Sequence, residues 1–266
     1  MKQGKLEIKF NGMESGFKCE FCKADLKDKL IDFGVSPLAN AYITQESLEA
    51  QNEPMYPLNV YVCHRCLLTQ LGYKVEPEKI FTHYAYWSSL SDTWQKHVND
   101  YVQQMIKEYE VDDGWQVIEI GSNDGTLLKY FKDNNVPVLG VEPAQNVAEI
   151  AMENGIETLN RFFNRATAKA LIEKNKKADL LIGNNVLAHM PNLNEAMSAI
   201  KTVLKEEGFA TFEFPHVLVL IQNKEFDTIY HEHYYYYSVM ALQNIFDAYD
   251  LSIFRVEKIQ EHGGSL

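Results

Sequence analysis

The chain has 266 residues, 46% of them hydrophobic and 23% charged, so it carries enough apolar side chain for a full core and lacks a disordered composition. Its formal net charge of -12 excludes the electrostatic footprint of a general nucleic-acid binder and directs attention to a small-molecule partner. No apolar run approaches the roughly 20 residues needed to cross a bilayer, and the opening MKQGKLEIKFNG lacks a secretory apolar segment, so a cytoplasmic protein without a membrane partner is expected.

Residues 1–80 are short apolar pieces broken by Gly, Pro and Asn around two C-x-x-C pairs, Cys19/Cys22 and Cys63/Cys66. Each such turn directs two sulfurs at one metal, and four thiolates complete a closed tetrahedral zinc shell. The 40 intervening residues are no objection, because doubling a loop adds only about 0.6 kcal/mol of closure entropy. A shell with no vacant position makes the expected Zn2+ structural rather than catalytic. The rival reading, a redox dithiol, needs only one pair on a thioredoxin-like strand and helix, and His64 is read as solvated or behind the ligands.

Residues 81–110 form an expected linking helix, with Leu90, Trp94, Val98, Tyr101, Met105 and Tyr109 at three- and four-residue spacing. From there to residue 266, apolar strands (VIEI, VLGVE, ADLLIG, FATFEF, SIFRVEKI) alternate with helical segments. That alternation predicts an α/β fold with a parallel, doubly wound sheet and a ligand at the carboxyl ends of its strands.

The strand at VIEI runs into Gly121-Ser122-Asn123-Asp124-Gly125, and a helix opens at Thr126. Glycines allow a close approach of main chain to ligand. Glu142 ends the next strand, 21 positions beyond Gly121, where an acidic side chain holds a ribose diol. A dinucleotide turn has a second glycine where this one has Asn123, and the Asn123 and Asp124 side chains disfavour a pyrophosphate while suiting an amino acid and a sulfonium. The spacing therefore favours S-adenosylmethionine over a nicotinamide dinucleotide; a tight turn without a ligand stays the alternative.

Tyr230-His231-Glu232-His233 is the densest group of titratable side chains, placed after FEFPH beyond the end of a strand. In an extended loop His231 and His233 would face one way and Tyr230 and Glu232 the other. Simple packing with satisfied hydrogen bonds is the alternative, and it is the reading given to Tyr234–Tyr237.

The strings EIGSNDG, VLGVEP, GIETLNRFF, NNVLAHMPNLN, EFPH and FDTIYHEHYYYYS resemble the sugar-nucleotide C-methyltransferases, with similarity from the first cysteine pair to HGGSL. The resemblance implies a Rossmann-like class I methyltransferase domain over 111–266, preceded by the zinc-binding module, and an activity that methylates carbon 3 of a nucleotide-linked 4-keto deoxysugar through an enolate. It implies His233 as the base, Glu232 and Tyr230 as its partners, and His189 as a second active-site histidine. It also implies Tyr84 and Ser88 in HYAYWSS at cofactor and acceptor, Phe162 at an adenine plane, Asn184 at the methionine amino group, and closure of DFGVSPLANAY over the acceptor. The family carries a further C-terminal α/β domain that this sequence does not reach, so a monomer or weak homodimer paired through an open sheet edge is expected. Oxygen or nitrogen transfer to another nucleotide-activated acceptor, and binding of S-adenosylmethionine without turnover, stay open as alternatives.

Overall fold

A computed structural model of the chain describes residues 16–46, 53–259 and 263–266. The opening MKQGKLEIKFNG, read for a leader, lies outside the described residues. Among the described residues no helix is long and apolar enough to cross a membrane.

The N-terminal region contributes β1 (Asp28–Ser36), β2 (Tyr56–Val62) and β3 (Thr69–Leu71), paired antiparallel in that order. After it come a single helical turn, α1 (Glu78–Phe81), and a strap over 82–91 that is irregular but for one 3-10 turn at Ser88–Leu90. The expected amphipathic helix is α2 (Asp92–Tyr109), which starts where the Ser91 side chain accepts from the Trp94 amide and buries Val98, Val102 and Met105. Leu90, taken with its apolar stripe, stands before the helix and is exposed.

Beyond it run β4 (Val117–Ile120), α3 (Thr126–Asp133), β5 (Val138–Val141), α4 (Gln145–Glu153), β6 (Thr158–Leu159), α5 (Arg165–Glu173), β7 (Ala178–Asn184), α6 (Leu193–Val203) and β8 (Leu204–Glu213). The five strands pair in parallel in the order β6-β5-β4-β7-β8. Val117, Ile118 and Leu180 to Ile182 have almost no exposure, the continuous burial that makes parallel strands read as unbroken apolar runs. Because β5 and β7 leave β4 on opposite sides, the chain reverses its winding there, and a crevice opens above the end of β4.

The remaining elements are α7 (Val217–Asn223), β9 (Tyr235–Tyr236) and α8 (Val239–Asp247). β9 pairs with β3, Thr69 opposite Tyr236 and Gln70 opposite Tyr235, so the tyrosine run closes the N-terminal sheet. Its rings are buried, and the hydroxyls of Tyr234, Tyr235 and Tyr237 donate to the carbonyls of Val75, Pro191 and Leu187.

SIFRVEKI does not form the expected strand. Residues 251–258 are irregular, with Phe254 and Val256 exposed. Alternating apolar residues become a strand only where a neighbour offers its amides, and the partner Phe214 takes is Leu266, through two bonds of 3.1 and 3.0 Å.

Candidate functional site

The turn after β4 has the backbone its sequence requires. Gly121, Asn123 and Gly125 have φ of 66°, 50° and 79°, and a Cβ on Gly125 would stand 2.9 Å from Ile156. Glu142, at the tip of β5, accepts the Asn123 amide at 2.9 Å on one oxygen and the Ala144 amide at 2.8 Å on the other. Burial raises its pKa to about 7, against the downward pull of those two amides.

The side chains of Asn123 and Asp124 are engaged by the chain itself. Asn123 accepts the Ser88 amide at 3.0 Å and donates to the Tyr86 carbonyl at 3.0 Å; Asp124 accepts the Ser89 amide at 2.9 Å and the Thr126 hydroxyl at 2.6 Å. Asn146 of α4 makes a reciprocal pair with the Tyr84 main chain, at 3.0 and 2.8 Å. The 84–89 strap is thus laced across the mouth of the cofactor crevice.

Beneath it lies a cavity of about 800 Å³, lined among others by Gly121, Ser122, Asn123, Glu142, Phe162, Asn184, Tyr84, Ser88, His189, Tyr230 and His233. Asp124, Gly125 and Glu232 stand outside this lining. Asn160 donates to the carbonyls of Glu142 and Pro143, which fixes the loop leading to Phe162 and Phe163. The lining includes the carboxyl groups of Glu78, Glu119, Glu142, Glu195, Glu225 and Asp227 and, among the described residues, no lysine or arginine; burial holds Glu119 toward its neutral form, and the other acidic groups favour a cationic ligand.

The Tyr230–His233 segment is a turn rather than an extended loop: the His233 amide donates to the Tyr230 carbonyl at 3.1 Å. Both side chains consequently face the cavity together, while His231 points away, edge-on to Tyr56 with centroids 5.9 Å apart. The expected pairing of the two histidines on one side is overturned by this i to i+3 bond. A carbonyl can only accept, so the 3.0 Å contact of His233 Nδ1 with the Thr228 carbonyl places a proton on Nδ1. In the neutral ring Nε2 then accepts the Tyr230 hydroxyl, 3.1 Å away.

His189 stacks between Phe81 and His233, centroids 5.2 and 5.1 Å away. Burial, and then the neighbouring His233, hold its pKa well below the usual histidine range, so it is neutral at pH 7. Glu232 is buried behind the turn, and its Oε1 accepts from the Asn40 side chain at 2.6 Å. Burial raises its pKa, opposed by Asn40 and the Tyr84 hydroxyl. Tyr84 is likewise pushed above its usual range, by burial first.

The four cysteines converge, every sulfur within 4.8 Å of the others. Cys19 and Cys66 are 3.4 Å apart and Cys22 and Cys63 3.5 Å, far beyond a disulfide bond, and all four are free thiols. Hydrogen bonding from Cys66 draws the Cys19 thiol down, while burial pushes Cys22 up. The donor set and its convergence fit one tetrahedral zinc held by Cys19, Cys22, Cys63 and Cys66. Buried Gln70 donates to Cys19 Sγ at 3.2 Å and accepts the Glu20 amide at 2.9 Å. Gln70, Asn40, Asn146 and Asn160 have no local sequence signal; each acquires its role from a contact distant along the chain.

Residues 19–81 match the family described as "Putative zinc binding domain", and residues 86–256 match "Methyltransferase domain". The chain is 32% identical over 249 residues to the C-methyltransferase NovU of Streptomyces niveus, covering 94% of this chain and 59% of that protein. It is 26% identical over 96 residues to the ubiquinone biosynthesis O-methyltransferase of Bartonella bacilliformis, 36% of this chain and 39% of that protein. The YcgJ protein of Bacillus subtilis superposes with a TM-score of 0.50 at 20% identity, over 62% of this chain and 72% of YcgJ, a likeness of fold. The chain thus spans about three fifths of the length of NovU. With a glycine turn at the reversal point of a 6-5-4-7-8 sheet and a family match over 86–256, the chain belongs to the methyltransferase-domain family, in its Rossmann-like class I fold behind a zinc-binding module.

Proposed function

We propose that the chain transfers the methyl group of S-adenosylmethionine to carbon 3 of a nucleotide-linked 4-keto deoxysugar, a small-molecule acceptor. The observation that carries this reading is the pairing of Tyr230 with His233 in the cavity that is also lined by Gly121, Ser122 and Asn123 of the glycine turn. The NovU likeness supports transfer to carbon.

When bound, S-adenosylmethionine supplies an electrophilic methyl and leaves as its thioether. Glu142 and the backbone of the turn would hold its ribose, Phe162 its adenine and Asn184 its amino group. The acidic lining favours its sulfonium and ammonium charges.

Carbon methylation needs an electron pair on the acceptor carbon. His233, with its Nδ1 proton fixed on Thr228, has Nε2 to receive the carbon 3 proton. The Tyr230 hydroxyl, which donates to Nε2 at rest, turns its proton to the keto oxygen as that oxygen gains charge, and this frees Nε2 for the transfer. The carbon–hydrogen pair becomes the enolate π bond, and that pair forms the new carbon–carbon bond. His189, held neutral, adds no positive charge beside His233. Oxygen or nitrogen transfer would require no such proton removal.

The test is incubation of the acceptor in deuterated water with the enzyme, read by mass spectrometry and NMR. Exchange at carbon 3 and a labelled methyl on that carbon are expected. A methyl on oxygen or nitrogen, without exchange, would overturn the reading.

A further inference from the structure

We infer that Lys74 is a positioning residue that locks the four-cysteine knuckle onto the acceptor wall of the cavity. Lys74 Nζ donates to Glu20 Oε2 at 2.9 Å and to the Pro191 carbonyl at 2.6 Å, and stands 5.9 Å from the centre of the Tyr235 ring. Glu20 lies between the ligand pair Cys19 and Cys22; Pro191 lies two residues beyond His189. One ammonium therefore joins the metal loop to the loop that carries a cavity histidine.

A second contact runs alongside it. Asn194 Nδ2 donates to the carbonyls of Glu20 and Phe21, both at 3.0 Å, and its Oδ1 accepts the Tyr249 hydroxyl at 2.9 Å. Asn194 lies in the first turn of α6, which begins at Leu193 directly after the His189–Asn192 stretch that lines the cavity. Tyr235 closes the arrangement, since its hydroxyl donates to the same Pro191 carbonyl at 2.7 Å.

Four thiolates on one metal would fix the shape of the cysteine loops, which otherwise rests on a few packed side chains such as Phe21 and Leu68. Once that shape is set, the positions of the Glu20 carboxylate and of two main-chain acceptors are set with it. Lys74 and Asn194 carry those positions to residues 189–194. The Lys74 side chain is only 26% exposed, and its bonds are charge-assisted, so solvent weakens the link less than it would a surface pair. The Gly121–Gly125 turn takes its support elsewhere, from the 84–89 strap and Glu142. Among the described residues, the hydrogen bonds from Lys74 and Asn194 thus connect the metal loop to the acceptor half of the site.

The name acceptor wall rests on the function proposed for the cavity, whereas the test is independent of any acceptor. Hydrogen–deuterium exchange is followed in the full zinc-loaded chain for peptides covering 187–194 and 121–125, in the parent, Lys74→Met and Lys74→Arg. Lys74→Met is expected to keep one zinc and to bind S-adenosylhomocysteine within twofold of the parent, yet to exchange roughly tenfold faster over 187–194 alone. Lys74→Arg is expected to restore protection. Unchanged exchange over 187–194, or equal acceleration over 121–125, would overturn the inference. If Lys74→Met fails to fold, Asn194→Ala is measured in the same way: faster exchange over 187–194 alone supports the lock, and unchanged exchange there overturns it. Where methyl transfer to a nucleotide-linked 4-ketosugar is measurable, a raised acceptor KM with unchanged cofactor affinity is expected, and an unchanged KM counts against the lock.

Discussion

Tyr230 and His233 form a hydrogen-bonded pair 3.1 Å long, and the opposite nitrogen of the imidazole is held on the Thr228 carbonyl at 3.0 Å. The second bond fixes the tautomer and the first sets the Tyr230 hydroxyl beside the nitrogen proposed to receive the carbon 3 proton. His233→Ala is expected to lower kcat by a factor of about 10² to 10⁴, the usual worth of a general base, with S-adenosylhomocysteine affinity within twofold. Tyr230→Phe should keep the histidine but lose the donor to the enolate oxygen, and carbon 3 exchange should slow together with methyl transfer. Steady-state rates and calorimetry on the two variants decide this; full activity in His233→Ala would remove the base.

Glu142 gives the cofactor site a pH dependence with a definite sign. Burial raises its pKa to about 7, above the ordinary carboxylate value. A group raised in the folded state contributes stability that is fully present below the unfolded pKa, near 4.3, and is lost as pH rises to about 7. If Glu142 holds the cofactor ribose as proposed, binding runs the other way, because ribose hydroxyls donate best to the ionised carboxylate. S-adenosylhomocysteine is expected to bind more weakly as pH falls below 7, by at most about tenfold per unit, and Glu142→Gln to flatten that slope. Calorimetry between pH 5.5 and 8.5 checks it; a flat profile in the parent would contradict it.

The strap yields a kinetic expectation. Asn123→Gly removes both side-chain bonds to Tyr86 and Ser88 while keeping a residue at ease with φ of 50°. Two lost hydrogen bonds are worth about 1 to 3 kcal/mol together, enough for S-adenosylhomocysteine to dissociate roughly ten times faster. Surface plasmon resonance reads the off-rate, and an unchanged value would mean that the strap does not cover the cofactor.

The parts legible in the sequence are those whose physics is local. VIEI, VLGVE and ADLLIG read as strands because both faces are buried, and Gly121 and Gly125 read as a turn because few other residues take that backbone. Two C-x-x-C turns announce a metal for a similar reason. The lacing of the site is not legible, because it joins residues far apart: Ser88 to Asn123, Lys74 to Pro191, Asn40 to Glu232. The facing of His233 departs from the alternation of an extended loop through one main-chain bond that makes the segment a turn. SIFRVEKI shows the converse, a strand pattern that pairs only at its last residue, Ile259 with Ser265, among the described residues.

Asn40 offers the sharpest test of how the N-terminal module reaches the site. Its side chain is the 2.6 Å partner of Glu232, and Glu232 is 2% exposed. Asn40→Ala leaves that oxygen buried without its donor, which costs about 1 to 3 kcal/mol and removes one of the two influences that keep the carboxyl from rising further. The Glu232 pKa should therefore move up, and the acid limb of kcat/KM should move to higher pH with it. Cofactor affinity should stay within twofold, since the side-chain bond of Asn40 goes to Glu232 and not to the Gly121–Gly125 turn. Asn40→Asp sharpens the comparison, because a second carboxylate beside Glu232 raises its pKa by repulsion as well. A pH–rate profile identical to that of the parent in both variants would show that the Asn40–Glu232 bond is structural and stands apart from the chemistry.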